Sequence, residues 1–452
     1  MRESSFSTKN NWQALFLLLL ILAYPSMPFN YLPAEFYGIF KNYSYVAVIM
    51  GILAYGVYRL KIDLIKSNQN REVVVAAVCI IIFWLWVASG LGIAYANDSY
   101  TIYGFEKFRN YTVLLVLPSF TLLFLINSRF EEKGLLFNLA LIWLSLIIIK
   151  DVVYLFILLK GNYDLSFLLS RRLDSAHLSR LAGIDTSKHF FSNPIWIARQ
   201  ISYCLLCLSF VSLWYPGYKR IMSLVLLLTG VFLMIWAGSR GSIIAFLGGY
   251  TFLIVKRGLG KSYKQLIIYA VVGIALGIAM ITVVGHPNNV RLFYKSIRMI
   301  KGELRPEENS VGIRTTLYKN VLAFKKHPAA NIFGMGLGSY DFHSDKINAT
   351  PNHYKFPHNI LLEIYFELGW VGIFLFICVF IVLPLYLYRV SPYKTGFVIV
   401  SVAIYICVFI NSMFSGDLKG NEMLPKMLML LSVAVVNSKN SALANQGNNC
   451  SF

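Results

Sequence analysis

Charged residues are scarce in this sequence. They make up 14% of its 452 residues, whereas a soluble domain carries about 25%. Hydrophobic residues make up 57%, and they recur in runs close to the ~20 residues that a helix needs to cross a bilayer. A water-soluble enzyme, a disordered protein and a coiled coil are therefore poor fits, and the sequence predicts an all-α, polytopic membrane protein.

Acidic residues and cysteines are few. The 21 Asp and Glu residues face 41 Lys and Arg residues, which gives a net charge of +20. This excess favours anionic partners such as lipid head groups and phosphates. Nucleic acid is not a predicted partner, because the basic residues are spread through loops between apolar segments. Of the six cysteines, Cys204 and Cys207 form a pair inside an apolar run without a second pair, so we interpret them as small apolar residues.

Twelve segments are predicted to span the membrane. They begin near Trp12, Tyr43, Val73, Tyr111, Gly134, Pro194, Ile221, Ser242, Gln265, Gly369, Gly396 and Met423. The first is not predicted to be a cleavable signal peptide, because its apolar run is long and no small-residue cleavage site follows it.

Basic residues in the short connections predict the orientation of the chain. With the N-terminus inside, the inner connections carry 14 Lys and Arg residues and the short outer ones carry 6. Because basic residues accumulate in short cytoplasmic loops, we expect both termini in the cytoplasm. The predicted organisation is helices 1–9 over residues 1–284, an external loop over 285–357, helices 10–12 over 358–437 and a cytoplasmic tail over 438–452.

Two outer segments are long, Gly161–Asn193 and Gly285–Pro357. The second carries eleven basic and five acidic residues, a net charge of +6. Helical spacing over Arg291–Lys301 and Thr315–Lys326 predicts a partly helical loop, with a turn at Gly334–Gly338. Long translocated loops escape the orientation rule, so this charge is available for function.

The densest motif lies where the long loop returns to the membrane, and it reads Pro357-His358-Asn359-Ile-Leu-Leu-Glu363-Ile-Tyr-Phe-Glu367-Leu-Gly369. Pro357 favours a helix start. The spacing places Glu363 and Glu367 on one helical face, and Gly369 would let a short interfacial helix turn into the span. His358 would lie beside the helix N-terminus, where a neutral imidazole able to accept a proton is favoured. The alternative is a capping or interfacial histidine without chemistry.

Three arginines are candidate anion-binding residues. Arg314 lies in the long loop, Arg240 in the tight outer connection Ala237–Ser242, and Arg199 near the outer end of span six. A guanidinium group can hold phosphate oxygens in a bidentate manner and stays charged. The glycines of Gly334–Gly338 are expected to let the backbone approach a ligand closely.

The remaining polar residues receive more ordinary interpretations. Glu363 and Glu367 are expected to orient or cap, and Tyr340 is a candidate for stacking on a sugar ring. Lys150 and Asp151 in span five predict either a buried ion pair or a break between two shorter helices.

No metal or cofactor is predicted. The sequence shows no D-x-D-like carboxylate pair to hold Mg²⁺. A site built from His343, His353 and His358 is an open alternative, but these spacings suit no single helical face.

Together these motifs resemble the bacterial O-antigen ligase and oligosaccharide-repeat polymerase superfamily. The resemblance rests on Arg314, on His327-Pro328 with Gly334–Gly338, and on the P-H-N…E-L-G block, with Ser239-Arg240-Gly241 upstream. It is dense over about Ala237–Phe374 and elsewhere depends on the predicted spans and the large outer loop.

The resemblance implies a metal-independent membrane glycosyltransferase with a fold similar to the C-type glycosyltransferases. Such enzymes take a glycan from undecaprenyl diphosphate at the periplasmic face of the bacterial inner membrane. His358 matches the family's essential histidine, and Arg240 and Arg314 match arginines that bind the diphosphate. Arg199 matches less well. Glu363, Glu367 and Tyr340 are possible supporting residues.

The acceptor distinguishes the alternatives. A ligase would pass the glycan to lipid A–core, which is our prediction, and a polymerase would pass it to a second lipid-linked glycan. A flippase for lipid-linked glycans would bind the same anion without breaking a bond, but the sequence shows no paired halves. A polymerase acting on lipid II has a similar number of spans, and the P-H-N block argues against it.

Overall fold

The chain is described by a computed structural model that covers residues 14–15, 17–19, 71–126, 132–160, 194–237, 239–258, 310–324, 327–347, 355–392, 394–414, 418 and 423–449. Within these ranges the regular secondary structure is helical and no strand occurs. The predicted all-α class is therefore confirmed for this part of the chain.

The helices are numbered here in chain order. They are α1 (Arg71–Ala96), α2 (Ile102–Asn110), α3 (Leu117–Thr121), α4 (Glu132–Lys160), α5 (Pro194–Trp214), α6 (Tyr218–Ala237), α7 (Arg240–Arg257), α8 (Ser310–Ala323), α9 (Pro328–Phe333), α10 (Ser339–Phe342), α11 (Ser344–Ile347), α12 (Ile360–Ile377), α13 (Leu383–Val390), α14 (Gly396–Phe414) and α15 (Met423–Asn449). A π-helical stretch, Cys378–Val382, joins α12 to α13. Another, Tyr111–Val116, joins α2 to α3.

Five helical segments in the described ranges are long and apolar enough to cross a membrane. They cover Arg71–Ala96, Ile195–Trp214, Tyr218–Ile235, Ile360–Val390 and Gly396–Phe414. The predicted spans that begin near Tyr43 and Gln265, and most of the one near Trp12, lie outside the described residues. The count of twelve spans thus stays a prediction.

Two predictions about local structure can be compared with the helices directly. The predicted helix at Thr315–Lys326 is present as α8, whereas Arg291–Lys301 and the loop Gly161–Asn193 lie outside the described residues. Helix α4 runs without interruption through Lys150 and Asp151. The alternative of two shorter helices at that point is therefore wrong.

The chain forms two compact units. The first comprises Met1–Ala47 and Arg129–Leu304. Its central helix is α5, which packs against α4, α6 and α7 and is buried along most of its length. Because short turns join α5 to α6 and α6 to α7, helices α5 and α7 begin at the same end of this unit.

The second unit comprises Val48–Ser128 and Arg305–Phe452. Helix α15 is its central element and packs against α1, α13 and α14. Helix α12 packs against α1 and α9. The loop helices α8 to α11 thus belong to the same unit as the helix that carries the P-H-N motif.

Polar contacts in the second unit gather at its two ends. At one end Glu72 pairs with Lys439, and the Asn437 side-chain amide donates to the Leu125 carbonyl at 2.7 Å. At the other end the Asn359 side chain bonds the backbone of α14, in the same region as the loop helices. Helix ends that are predicted to lie on the same side of the membrane are therefore grouped together in this unit. Which of the two sides is cytoplasmic stays a prediction. Helix α15 continues to Asn449, through most of the predicted tail.

Candidate active site

Asn359 caps the helix that follows the P-H-N motif. Its side-chain oxygen accepts hydrogen bonds from the backbone N–H groups of Leu361 and Leu362 at 3.0 and 3.2 Å. Its side-chain nitrogen donates to the carbonyl of Met413 at 3.1 Å. Asparagine is a favoured cap because it satisfies N–H groups that have no partner inside the helix. The helix therefore begins at Ile360, three residues after the proline expected to mark its start.

His358 has a left-handed backbone conformation, with φ of +59°. This conformation costs a non-glycine residue roughly 1–2 kcal/mol, and such strain is concentrated at functional sites. The neighbouring groups hold it in place. The Tyr318 hydroxyl donates to the His358 carbonyl at 3.5 Å, and the Phe356 ring lies edge-on to the imidazole with centroids 4.6 Å apart.

Tyr318 connects Arg314 to His358. Arg314 precedes Tyr318 by one helical turn, so both side chains lie on one face of α8. Burial raises the pKa of Tyr318, and the Arg314 guanidinium and a hydrogen bond with the Asn359 side chain oppose that rise. Arg314 and His358 are thus both neighbours of one tyrosine. Sequence reasoning missed Tyr318, although its spacing from Arg314 was a usable signal.

The glycine strap, residues Gly334–Gly338, lies against three helices. Its three glycines have φ values of +88°, +99° and +83°. A methyl group on each would overlap neighbouring backbone, that of Glu367 for Gly334, Ala94 for Gly336 and Gly104 for Gly338. The strap was expected to approach a ligand. In the structure its glycines instead allow protein backbones to approach one another.

The strap also completes a bent helix. Gly369, with φ of +68°, divides α12 into a first segment, Ile360–Leu368, and a second that continues along the apolar run. The last carbonyls of a helix have no partner within it. Here Met335 N–H donates to the Phe366 carbonyl at 3.0 Å, and Gly336 N–H donates to the Glu367 carbonyl at 2.9 Å. The bend at Gly369 is expected from the sequence. The hydrogen bonds that the strap donates to the carbonyls freed by the bend are not.

A buried ionic cluster lies on the first segment of α12. Lys107 of α2 places its ammonium group 2.5 Å from Glu363 and 2.8 Å from both oxygens of Glu367. The three side chains are 0%, 1% and 1% exposed. Glu363 also accepts the backbone N–H of Leu418 at 2.8 Å. The two glutamates therefore orient structure, as expected, but their partner Lys107 was not predicted.

Tyr340 lies in the apolar core of the second unit. It is fully buried with Val321, Ile347 and Phe366, and its ring meets that of Phe366 edge-on at 5.7 Å. Burial raises its pKa, and the charge of nearby Glu363 adds to that rise. The ring has no free face for stacking on a sugar, so its contribution is to pack against the helix that carries the ionic cluster.

The other two candidate arginines belong to the first unit. Arg199 is 5% exposed, and its guanidinium group lies 5.5 Å from the centre of the Trp196 ring. Arg240 is the first residue of α7 and is half-buried. It follows the short turn predicted after Ala237. Both arginines lie near the end at which α5 and α7 begin, and their convergence with Arg314 and His358 on one substrate stays a prediction.

Most of the site residues fall within one stretch of the chain that matches a known family. Residues 200–377 match the O-antigen ligase family. The resemblance inferred from the motifs is thereby confirmed over this stretch. No curated protein matches the chain.

The O-antigen ligase match covers Arg240, Arg314, His358 and both glutamates of the ionic cluster. Arg199 lies one residue before its first position, and Lys107 lies far outside it. Together with the apolar helices, the match indicates a membrane glycosyltransferase of the O-antigen ligase or polymerase type. Lipid-linked glycans are the general class of substrate that this family implies.

Proposed function

We propose that the protein transfers a glycan from undecaprenyl diphosphate to a hydroxyl group of lipid A–core, at the periplasmic face of the bacterial inner membrane. The O-antigen ligase match supports the reaction class. Within the matched stretch, the observation that carries the proposal is the placement of Arg314 and His358 around Tyr318. This shared neighbour supports the proposal that His358 accepts a proton and Arg314 binds a phosphate in one site.

The proposed reaction is a single displacement. His358 accepts the proton of the acceptor hydroxyl, whose oxygen attacks the anomeric carbon of the donor sugar. The bond from that carbon to the diphosphate oxygen breaks with inversion, and the diphosphate leaves with the electron pair. General-base catalysis of this kind contributes about 10²–10⁴-fold.

Arginine would stabilise the leaving group. Charge develops on a diphosphate that is already anionic, and a fixed guanidinium group in a partly dehydrated site offsets it without reorganising. Arg314 is the candidate arginine in the second unit, and it neighbours Tyr318, whose hydroxyl bonds the His358 carbonyl. Arg240 and Arg199 of the first unit are likewise proposed as residues that bind diphosphate. In this scheme guanidinium groups supply the positive charge, so the reaction proceeds without a metal ion.

The test uses two variants of His358. Asparagine tolerates the left-handed conformation but cannot act as a general base, so His358→Asn preserves the backbone while removing the chemistry. His358→Ala removes both. Reconstituted with a lipid-linked glycan and lipid A–core, both variants should lose transfer by at least about 100-fold, with membrane abundance unchanged. Transfer by His358→Asn at the wild-type rate would refute the mechanism.

Product analysis of the wild-type protein tests the acceptor. Glycan attached to lipid A–core is expected of a ligase. Lengthened lipid-linked chains would assign a polymerase, and translocation of the donor without a new glycosidic bond would assign a flippase.

A further inference from the structure

One face of α2 contacts both flanks of the P-H-N motif. Tyr103 and Lys107 are one turn apart and therefore share a face of this helix. The Lys355 ammonium group, three residues before His358, lies 5.2 Å from the centre of the Tyr103 ring. Lys107 binds Glu363, five residues after His358. The histidine is thus bracketed by two attachments to the same short helix.

The attachment through Lys107 constrains the rotation of the first segment of α12. Glu363 and Glu367 are one turn apart, so both can reach a single ammonium group only when that face of the helix points at α2. The backbone N–H of Glu363 donates to the Asn359 carbonyl at 3.0 Å. A rotation of the segment would therefore displace the cap residue next to His358.

Helix α2 is itself held firmly. The glycine strap packs against it at Gly104, where a methyl group would come 3.1 Å from the Leu337 carbonyl carbon. The Leu337 N–H donates to the Gly90 carbonyl of α1 at 2.8 Å. Apolar residues of similar volume often stabilise a core as well as a buried ion pair does. The ionic cluster also fixes the rotation of the first segment of α12, because the ammonium group and the two carboxylates must all meet.

We propose that Lys107 is a positioning residue for the transfer reaction, which fixes His358 through Glu363 and Glu367 on a platform formed by α2. The proposal rests on the proposed function, since it assigns the position of the general base. It adds a residue that lies outside the family match and does not itself contact the substrate.

The charges around His358 give the proposal a pH signature. In the described part of the second unit, the elements that contact the P-H-N motif and its flanks carry several titratable or charged groups, which include Arg314 and Tyr318 from α8, Tyr103 and Lys107 from α2, Lys355 before the histidine, and Tyr340, Glu363 and Glu367 from the adjoining core. Removing the positive charge of Lys107 should make His358 easier to protonate. Removing the negative charge of Glu367 should make it harder to protonate.

The magnitude follows from the spacing. Glu363 lies five and Glu367 nine residues after His358, which corresponds to roughly 8 and 14 Å of helix, and a unit charge at such distances in a medium of effective dielectric ~20 shifts a titration by roughly one pH unit. The acid limb of the kcat/KM profile should therefore move up in Lys107→Met and down in Glu367→Gln. A charge far from His358 would leave this limb where it is, so the shift tests the closeness of the cluster to the histidine, and the fall in kcat in a folded variant tests positioning.

The experiment compares Lys107→Met and Glu367→Gln with Arg109→Met, which removes an exposed basic residue from the same helix. Lys107→Met is expected to lower kcat at least about tenfold, because a displacement of about 1 Å costs up to 10²-fold, while the donor KM stays within about threefold. Arg109→Met should behave as wild type. A wild-type kcat and pH profile in folded Lys107→Met would overturn the proposal.

A charge exchange covers the case in which Lys107→Met fails to fold. Lys107→Glu alone places three carboxylates together, whereas Lys107→Glu with Glu367→Lys restores one ammonium group between two carboxylates. The double variant should transfer glycan at least about tenfold faster than the single one. Equal rates would overturn the proposal. Activity of His358→Asn would instead remove the proposed function, so the two failures are distinguishable.

Discussion

Replacing Gly336 with alanine tests the packing of the glycine strap. The residue has φ of +99°, and a left-handed conformation costs alanine roughly 1–2 kcal/mol. The added methyl group would also overlap the backbone of Ala94 in α1. Backbone cannot rotate away as a side chain can, so the strap must shift, and overpacking of this kind costs about 1–3 kcal/mol. The variant should therefore lose about 2–5 kcal/mol.

Two other glycines separate the cost of the backbone conformation from the cost of the steric overlap. Gly217 has φ of +90° and no heavy atom within 4 Å of an added methyl group, so Gly217→Ala carries only the conformational cost. Gly92 lies within α1 and has no neighbour within 4 Å, so Gly92→Ala should gain up to about 1 kcal/mol from helix propensity. Thermal unfolding in detergent should rank Gly92→Ala above wild type, then Gly217→Ala, then Gly336→Ala. Unfolding of Gly336→Ala at the temperature of Gly217→Ala would show that the strap does not pack against α1.

Two further predictions concern single side chains. Arg314→Lys keeps the charge but loses the bidentate fork, so transfer should fall at least about tenfold at saturating acceptor, and full activity would show that charge alone suffices. The His343 ring contacts the rings of Phe324 and Phe342, with centroids 5.1 and 4.9 Å away, and burial, aided by Lys346, lowers its pKa below the usual 6.5. The unfolded chain therefore binds more protons below about pH 6.5, and stability should fall as the pH drops. Denaturant titrations at pH 8 and pH 5 should show this loss in wild type and a smaller one in His343→Phe.

Helix positions could be predicted closely because long apolar runs leave few alternatives. The spans predicted to begin near Val73, Pro194, Ile221 and Gly396 correspond to helices that begin within three residues of those points. A run of about 20 apolar residues in a bilayer must satisfy its own backbone, and the helix does so within a single segment. The bend at Gly369 was predictable for a similar reason, since glycine adopts positive φ without steric cost.

The glycine strap shows where such reasoning stops. Positive φ and the absence of a side chain indicate that something approaches the backbone closely. They do not indicate whether that neighbour is a ligand or another part of the protein. The answer lies in the carbonyl groups freed where α12 bends, which accept the N–H groups of Met335 and Gly336. The turn at Gly334–Gly338 and the bend at Gly369, which the sequence predicts separately, are therefore joined by hydrogen bonds.

The sequence indicates that Glu363 and Glu367 need a basic partner, but it does not indicate which basic residue that is. Two carboxylates on one face of a helix at the membrane boundary require a cation, because an unpaired charge in an apolar environment is costly. The short outer connections contain only six basic residues, so few residues there are candidates for this counter-charge. Lys107 is one of these six, but it lies 256 residues from Glu363 and no local pattern links them. The need of two buried carboxylates for a counter-charge, rather than any motif, is the property that points to Lys107.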